Sequence, residues 1–259
     1  MSTSATVCII PARGGSKRIP RKNLLPLNGK PLLAHTVEAV LKARVFAEVY
    51  VSSDDPEILA LAETCGARAD VRPQHLAGDT VKAVEIISEF LSRPGHAHRY
   101  DVVGMCLPTC PLRVAQDVRE AMERFARHRE QCPRLIGVTR YEFPPQLALR
   151  SLPSTPGGQP GQPGQIGQTG QIMDMREPEA YQFSTRSQEI EPLYYPNGSI
   201  YLSTVANYLQ EHTFFGRPTL VHVMPPERSF DIDYPYQFTV VEQFMRQLHT
   251  TPEVQEVDA

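Results

Sequence analysis

Three features of the 259-residue sequence predict an α/β fold with a mostly parallel sheet. Short β-branched runs alternate with stretches whose apolar residues recur at helical spacing, the order that places helices on both faces of a sheet. The first run, residues 5–11 (ATVCIIP), is apolar at successive positions, as a strand buried on both faces must be. Directly behind it comes a turn rich in glycine and cations, at the carboxyl end of a strand, where such sheets place their sites.

The elements follow in chain order. Pro31 suits the first turn of a helix in which Leu32, Leu33, Val37, Val40 and Leu41 repeat at helical spacing. Residues 48–53 (EVYVSS) form a second strand, and Asp54 or Asp55 caps a helix that runs through Cys65. Residues 80–91 read as helix, 101–107 as strand, 117–129 as helix and 135–139 as strand. Near the carboxyl end, NGSIYL (residues 197–202) reads as a turn into a strand, followed by a helix over 204–211, a strand over 220–224 and a closing helix over 236–248. Between the two halves, residues 153–172 become rich in Gly, Gln and Pro, with glycine at every third position from 158 to 170. Five triplets are too few for a collagen helix, and the composition cannot bury enough apolar area to order itself. A flexible, dispensable loop interrupting a hairpin is expected there.

Composition bounds the function. A net charge of −3 argues against a general nucleic-acid binder, which needs a basic face, so the cations of the first turn serve a local purpose. Five cysteines without CxxC spacing, and no signal-peptide pattern ahead of the first strand, fit a reduced cytoplasm. No apolar run approaches the roughly 20 residues that span a bilayer, so no membrane helix is expected.

Two stretches carry chemistry. In PARGGSKRIPRKN (residues 11–23), glycines let main-chain N–H groups approach an oxyanion, Gly14 first, while Arg13, Lys17, Arg18 and Lys22 surround it with charge. There is neither a Walker spacing nor a GxGxxG. On its own this loop fits a solvated basic turn as well as a polyphosphate cradle. In SFDIDYP, Asp231 and Asp233 stand two apart, which on a strand sends both carboxylates to one face. Such a pair suits Mg²⁺ or Mn²⁺ with nucleotide phosphates, and equally an exposed strand edge. The histidines of HAH (96–98) lack a third ligand nearby and fit a solvated loop, and Cys106 and Cys110 fit small buried groups.

Taken in order, PARGGSKRIPRKN, NGKPLLAHTVEA (28–39), VSSDD (51–55), RPQHLAGDT (72–80), LPTCPLR (107–113), NGSIYL, HTFFG (212–216) and MPPERSFDID (224–233) resemble the cytidylyltransferases that make CMP-activated nonulosonic acids. The resemblance implies a Rossmann-like nucleotidyltransferase with an inserted dimerisation element over residues 140–200, a homodimer and a cytoplasmic setting. It implies that Arg13, Ser16, Lys17 and Asn23 hold CTP, with Arg72, Asp79 and Thr80 near its base and ribose. Asp231 and Asp233 would ligate Mg²⁺ or Mn²⁺, and Arg13, Lys17 and Asp233 would serve catalysis. Phe214 and Phe215 would line a pocket for the sugar's acyl group. Asn197 and Tyr201 fall among the substrate candidates, although Tyr194, Tyr195 and Tyr201 also suit packing or dimer contacts. Arg186 is the candidate cation for the acid's carboxylate. In the family the acid's 2-hydroxyl attacks the α-phosphorus of CTP and pyrophosphate leaves.

The chain departs from the sialate pattern in carrying Leu107 where those enzymes have a glutamine that touches the sugar. TRSQ (185–188) looks like the pseudaminate type, whereas NGSIY looks like the sialate and legionaminate type. Two other readings stay open. One is an enzyme for another 2-keto acid such as Kdo, against which Gly14-Gly15 and Lys22-Asn23 speak. The other is a nucleotide-binding module without catalysis, against which Arg13, Lys17, Asp231 and Asp233 speak.

Overall fold

The computed structural model describes residues 5–78, 80–145, 149–151, 173–175 and 190–250. The chain divides into two compact units, Met1–Thr139 with Pro196–Ala259, and Arg140–Tyr195. The Gly/Gln/Pro loop at 153–172 lies outside the described residues.

In chain order the strands are β1 Thr6–Pro11, β2 Pro26–Leu27, β3 Lys30–Pro31, β4 Glu48–Ser53, β5 Arg68–Val71, β6 Val102–Met105, β7 Arg134–Arg140, β8 Leu149–Ser151, β9 Met173–Met175, β10 Tyr194–Thr204 and β11 Leu220–Val223. The helices are α1 Leu32–Ala43, α2 Pro56–Thr64, α3 Ala83–Ser92, α4 His96–Arg99, α5 Ala115–His128, α6 Val205–Glu211 and α7 Pro235–Thr250. Seven strands form one sheet in the order β11-β7-β10-β6-β1-β4-β5. β1 pairs in parallel with β4 and β6, β4 with β5, and β11 with β7. β10 runs antiparallel to β6, with Tyr201 opposite Met105.

Alternation along β1 builds two cores. Cys8 and Ile10 enter a cluster with Leu33, Val37 and Val40 of α1, Ile58 of α2 and Phe125 of α5. Val7 and Ile9 point the other way, onto Ile87, Phe90 and Leu91 of α3 and Tyr208 of α6. Each of these four strand residues is fully buried, as the apolar run requires. A third, smaller cluster joins Ile19, Leu27, Leu112 and Ile232 to Val241 and Met245 of α7. It ties the basic loop to the DID segment although some two hundred residues separate them in sequence.

Several local expectations are corrected. Asn197 and Gly198 do not turn the chain: they lie inside the eleven-residue β10, and Gly198 takes a φ of +74° there. Asn197 satisfies itself within the fold, its Oδ1 accepting from the Ser199 N–H at 3.1 Å and the Ser199 hydroxyl at 2.7 Å, so no hairpin is needed. Residues 229–234 form no strand. The HAH stretch is a short helix, with His96 beside the Phe90 ring at 4.5 Å, rather than a loop. The short pair β2–β3 and strand β5 carry too few residues to show a period. Asp55, of the two cap candidates, accepts the Glu57 N–H at 2.8 Å.

Within the unit Arg140–Tyr195, β8 and β9 pair antiparallel, with Arg150 opposite Asp174. Tyr141 stacks at a tilt on Tyr195 at 4.6 Å and donates its N–H to the Leu193 carbonyl at 2.9 Å.

Candidate active site

A cleft of about 530 Å³ opens over the carboxyl ends of β1 and β6. Its lining brings together Arg13, Ser16, Lys17 and Asn23 of the basic loop, Arg72 after β5, Thr80 before α3, Leu107 after β6, and both Asp231 and Asp233. Six positive or polar side chains, from the basic loop and from the 72–80 block, thus face one space with two carboxylates. Val81, Ala83 and Ile86 add apolar lining suited to a flat ring.

The loop is held by its own side chains. Asn23 is buried and donates from Nδ2 to the Arg13 carbonyl at 2.9 Å. The Ser16 hydroxyl accepts from the Ile19 N–H at 3.4 Å, and Ile19 anchors the loop in the third core cluster. Gly14 does not line the cleft; its N–H donates to Asp54 Oδ1 at 3.0 Å. The expected oxyanion contact of that N–H is therefore corrected: it closes the loop onto the end of β4. A Cβ at Gly14 would stand 2.8 Å from Asp55, which explains the glycine by close approach, while a Cβ at Gly15 meets nothing within 4 Å.

Arg72 is 6% exposed and donates from Nη2 to the Ser52 carbonyl at 2.7 Å, so one end of its guanidinium is fixed to the sheet. Arg72 Nε and Asn23 Oδ1 are buried without a hydrogen-bond partner among the described residues. Orphaned polar atoms in the wall of a polar cleft are what a ligand's own polar groups would satisfy.

At the other end, Ile232 donates its N–H to the Thr109 carbonyl at 2.9 Å and buries its side chain fully. With Ile232 turned inward, Asp231 and Asp233 on either side turn outward into the cleft, so the same-face reasoning holds over three residues although no strand exists. Asp233 pairs with Arg18 at 3.0 Å and Lys22 at 3.2 Å. Asp231 is open to solvent on its cleft side but crowded by protein elsewhere. That crowding pushes its carboxyl above the ordinary value and the Asp233 charge pushes the same way, while Thr109, Lys22 and Arg113 oppose the shift. Two like charges beside a bound polyanion form a hard-oxygen donor set, which fits Mg²⁺ or Mn²⁺. Among the described residues no group of three or more His, Cys, Asp or Glu side chains could hold a metal unaided.

The remaining candidates lie elsewhere. Phe214 is fully buried, its ring 5.7 Å from Tyr201 and 4.9 Å from Tyr208, and so packs the core rather than lining a pocket. Phe215 is 49% exposed and Tyr201 lies 6.0 Å beneath it; neither lines the cleft. Asn197 is 2% exposed and spends its Nδ2 on the Ser229 hydroxyl at 2.9 Å, a structural post. Asp79 and Arg186 lie outside the described residues. Residue patterns missed Thr109, although it sits within LPTCPLR, because its contacts to residues 231–232 are long-range. None of the five cysteines forms a disulfide; Cys110 is buried, its thiol pushed up by burial and donating to the Asn197 carbonyl at 2.9 Å. No helix among the described residues is long and apolar enough to cross a membrane.

A family model for cytidylyltransferases matches residues 7–138. The chain is 33% identical to the pseudaminic acid cytidylyltransferase of Campylobacter jejuni subsp. jejuni (strain 81-176), over 88% of this chain and 90% of that one. It is 30% identical to the CMP-N,N'-diacetyllegionaminic acid synthase of Legionella pneumophila, over 92% and 95% of the two chains. The N-acylneuraminate cytidylyltransferase of Escherichia coli O18:K1:H7 is 34% identical over 88% of this chain and 49% of its own, so this chain spans about half the length of that relative. Among solved structures, CMP:2-keto-3-deoxy-manno-octonic acid synthetase complexed with CTP matches 95% of this chain with a TM-score of 0.66 at 20% identity, a likeness of fold. The family model and these relatives together define a nucleotidyltransferase. The chain belongs to the cytidylyltransferase family.

Proposed function

We propose that this enzyme transfers CMP from CTP to the 2-hydroxyl of a nonulosonic acid of the sialic, legionaminic or pseudaminic type and releases pyrophosphate. One observation carries the reading: a single cleft gathers Arg13, Lys17, Arg72 and Thr80 with the Asp231–Asp233 pair. The relatives named for pseudaminic, N-acylneuraminic and legionaminic acids support the acceptor class.

The residues divide the work. Arg13 and Lys17 neutralise the triphosphate and the charge that develops on departing pyrophosphate. Ser16 and Asn23 fix the loop that carries them. Arg72, anchored to Ser52, and Thr80 orient the nucleoside end beside the apolar lining of Val81 and Ile86. This alignment holds the acceptor hydroxyl and the α-phosphorus in line, which removes most of the entropic cost of a two-substrate reaction. Asp231 and Asp233 would hold Mg²⁺ or Mn²⁺, which when bound supplies further charge neutralisation at the phosphoryl oxygens. A homodimer formed through the unit Arg140–Tyr195, and a cytoplasmic setting where CTP is made, complete the proposal.

The test is pyrophosphate release from CTP, against ATP, GTP and UTP, with a panel of sialic, legionaminic, pseudaminic and Kdo acids. Turnover with a nonulosonic acid and CTP is expected. Turnover with Kdo alone would move the assignment to that acceptor, and no CTP binding would overturn it.

A further inference from the structure

Three side chains, Lys22, Gln237 and Arg18, hold residues 232–234, and they are not equal. Lys22 donates to the Ile232 carbonyl at 2.6 Å as well as to Asp233 Oδ1 at 3.2 Å, and its side chain is 13% exposed. Gln237 Oε1, in the first turn of α7, accepts the N–H groups of Asp233 at 2.6 Å and Tyr234 at 2.7 Å. Three of these bonds hold main chain, and the fourth keeps the part-buried Lys22 ammonium on Asp233 Oδ1, so both residues fix the segment in place. Arg18 differs. It touches Asp233 only at the carboxylate, Nη1 to Oδ2 at 3.0 Å, rests on the Tyr234 ring at 5.1 Å from its centroid, and is 58% exposed on a loop that lines the cleft.

A carboxylate oxygen donated to a divalent cation faces a second positive charge if Arg18 stays on the same group, and a guanidinium pair this exposed is weak enough to exchange. Arg18 also lies within the loop read above as the triphosphate cradle, and its planar fork suits phosphate oxygens as well as it suits Oδ2. We propose that Arg18 is an exchangeable counter-ion: it occupies Asp233 in the nucleotide-free enzyme and transfers to the triphosphate when nucleotide binds, releasing Asp233 for the divalent cation. Nucleotide and metal then promote each other's binding by the same factor, because both draw on one displaced contact. The inference rests on the metal reading given above, and Arg18 acts here as a positioning residue.

Mn²⁺ binding to the whole, nucleotide-free protein, measured by electron paramagnetic resonance, tests it. Arg18→Gln should tighten Mn²⁺ at least threefold. Arg21→Gln removes an equal charge from the same loop, but Arg21 pairs with Glu57 at 2.7 Å, and should change the affinity by less than half as much. In an Asp233→Asn background the effect of Arg18→Gln should vanish. Equal tightening by the two arginine variants would reduce the effect to bulk charge and overturn the proposal, as would an Arg18 effect that survives without Asp233. A Mn²⁺ site that forms but ignores Arg18→Gln overturns the proposal alone. No Mn²⁺ site in any protein, even with CTP added, overturns the two-aspartate metal reading and the proposal with it.

Discussion

The main-chain N–H of Gly14 donates to the carboxylate of Asp54 at 3.0 Å, which seals the basic loop against the end of β4. The two glycines of RGGSK therefore do different things, and substitution separates them. Gly14→Ala places a Cβ 2.8 Å from Asp55, whose own carboxylate caps α2, so neither side can yield without cost. Overpacking of this kind costs about 1–3 kcal/mol, a fall of several degrees in melting temperature for a chain of this size. Gly15→Ala meets open space and should change stability by no more than ~0.5 kcal/mol. Thermal melts of the two variants check this; equal losses would show that the Asp55 approach does not constrain the loop.

Arg13→Ala should weaken CTP binding at least tenfold while the protein stays folded. A charge-assisted hydrogen bond is worth about 1.5–3 kcal/mol, and 1.4 kcal/mol is already a factor of ten. Calorimetric titration with CTP decides it, and unchanged affinity would remove Arg13 from the nucleotide site.

The aspartate pair offers a trade between stability and activity. A carboxyl whose folded pKa is raised binds more protons in the folded than in the unfolded state, so stability falls as pH rises through the window between the two values and the full cost is carried at neutral pH. Asp231→Asn removes that charge while keeping an acceptor for Thr109. The metal-free variant should melt higher than wild type at pH 7, and turnover should collapse with the hard anionic ligand gone. A variant that melts lower and turns over normally would contradict both halves.

Much of this was readable in the residues. The limits of β4 match the reading of EVYVSS, and the β1 alternation Val7, Cys8, Ile9, Ile10 feeds two cores as its unbroken apolarity implies. The cleft's main groups were reached through the ordered blocks and the family they resemble, since the basic loop or the aspartate pair alone fits a solvated surface equally well. What failed depended on distant partners. Asn197-Gly198 has the chemistry of a turn, but the Ser229 hydroxyl and the Leu107 N–H hold it inside a strand. Phe214 and Phe215 look alike in sequence, and only the packing of Tyr208 against the first decides which is core. Thr109 carries no local signal for its tie to residues 231–232.

A half-buried histidine, His35, and a buried one, His222, should both weaken the fold on the acid side. His222 is 8% exposed with Nε2 unpartnered among the described residues, and His35 binds the Leu27 carbonyl through Nε2 at 2.9 Å. Burial is the largest cause of a lowered pKa in each, with Glu38 opposing Lys30 at His35, and Asp117 and Glu120 opposing Arg124 and Arg228 at His222. The unfolded chain therefore binds more protons than the folded one just below pH ~6.5, and stability should fall as pH drops from that value. His222→Phe removes one of the two titrations and should flatten the decline between pH 7 and 5. An unchanged slope would assign the decline to other groups.

The acceptor preference is expected to turn on Leu107, which lines the cleft. Its main chain is pinned on both sides, the N–H donating to the Gly198 carbonyl at 3.1 Å and the carbonyl accepting from buried Arg113 at 3.0 Å, so the side chain that lines the cleft has little freedom to withdraw. If the acid's hydroxyl lies there, as the family resemblance implies, an apolar group would leave it without a partner, at a cost of about 1–3 kcal/mol. A deoxy, N-acylated acid of the legionaminic or pseudaminic type loses nothing there, and should match or exceed N-acetylneuraminic acid in kcat/KM. Leu107→Gln restores a donor and an acceptor and should move the ratio toward N-acetylneuraminic acid by about tenfold, the equivalent of one hydrogen bond. The wall once expected of Phe214 contributes nothing to this choice, since that ring is buried. Pyrophosphate release measured for both proteins with the three acids gives the ratios. A wild-type enzyme that strongly prefers sialic acid, or a Leu107→Gln variant with an unaltered ratio, would show that another residue reads this part of the sugar.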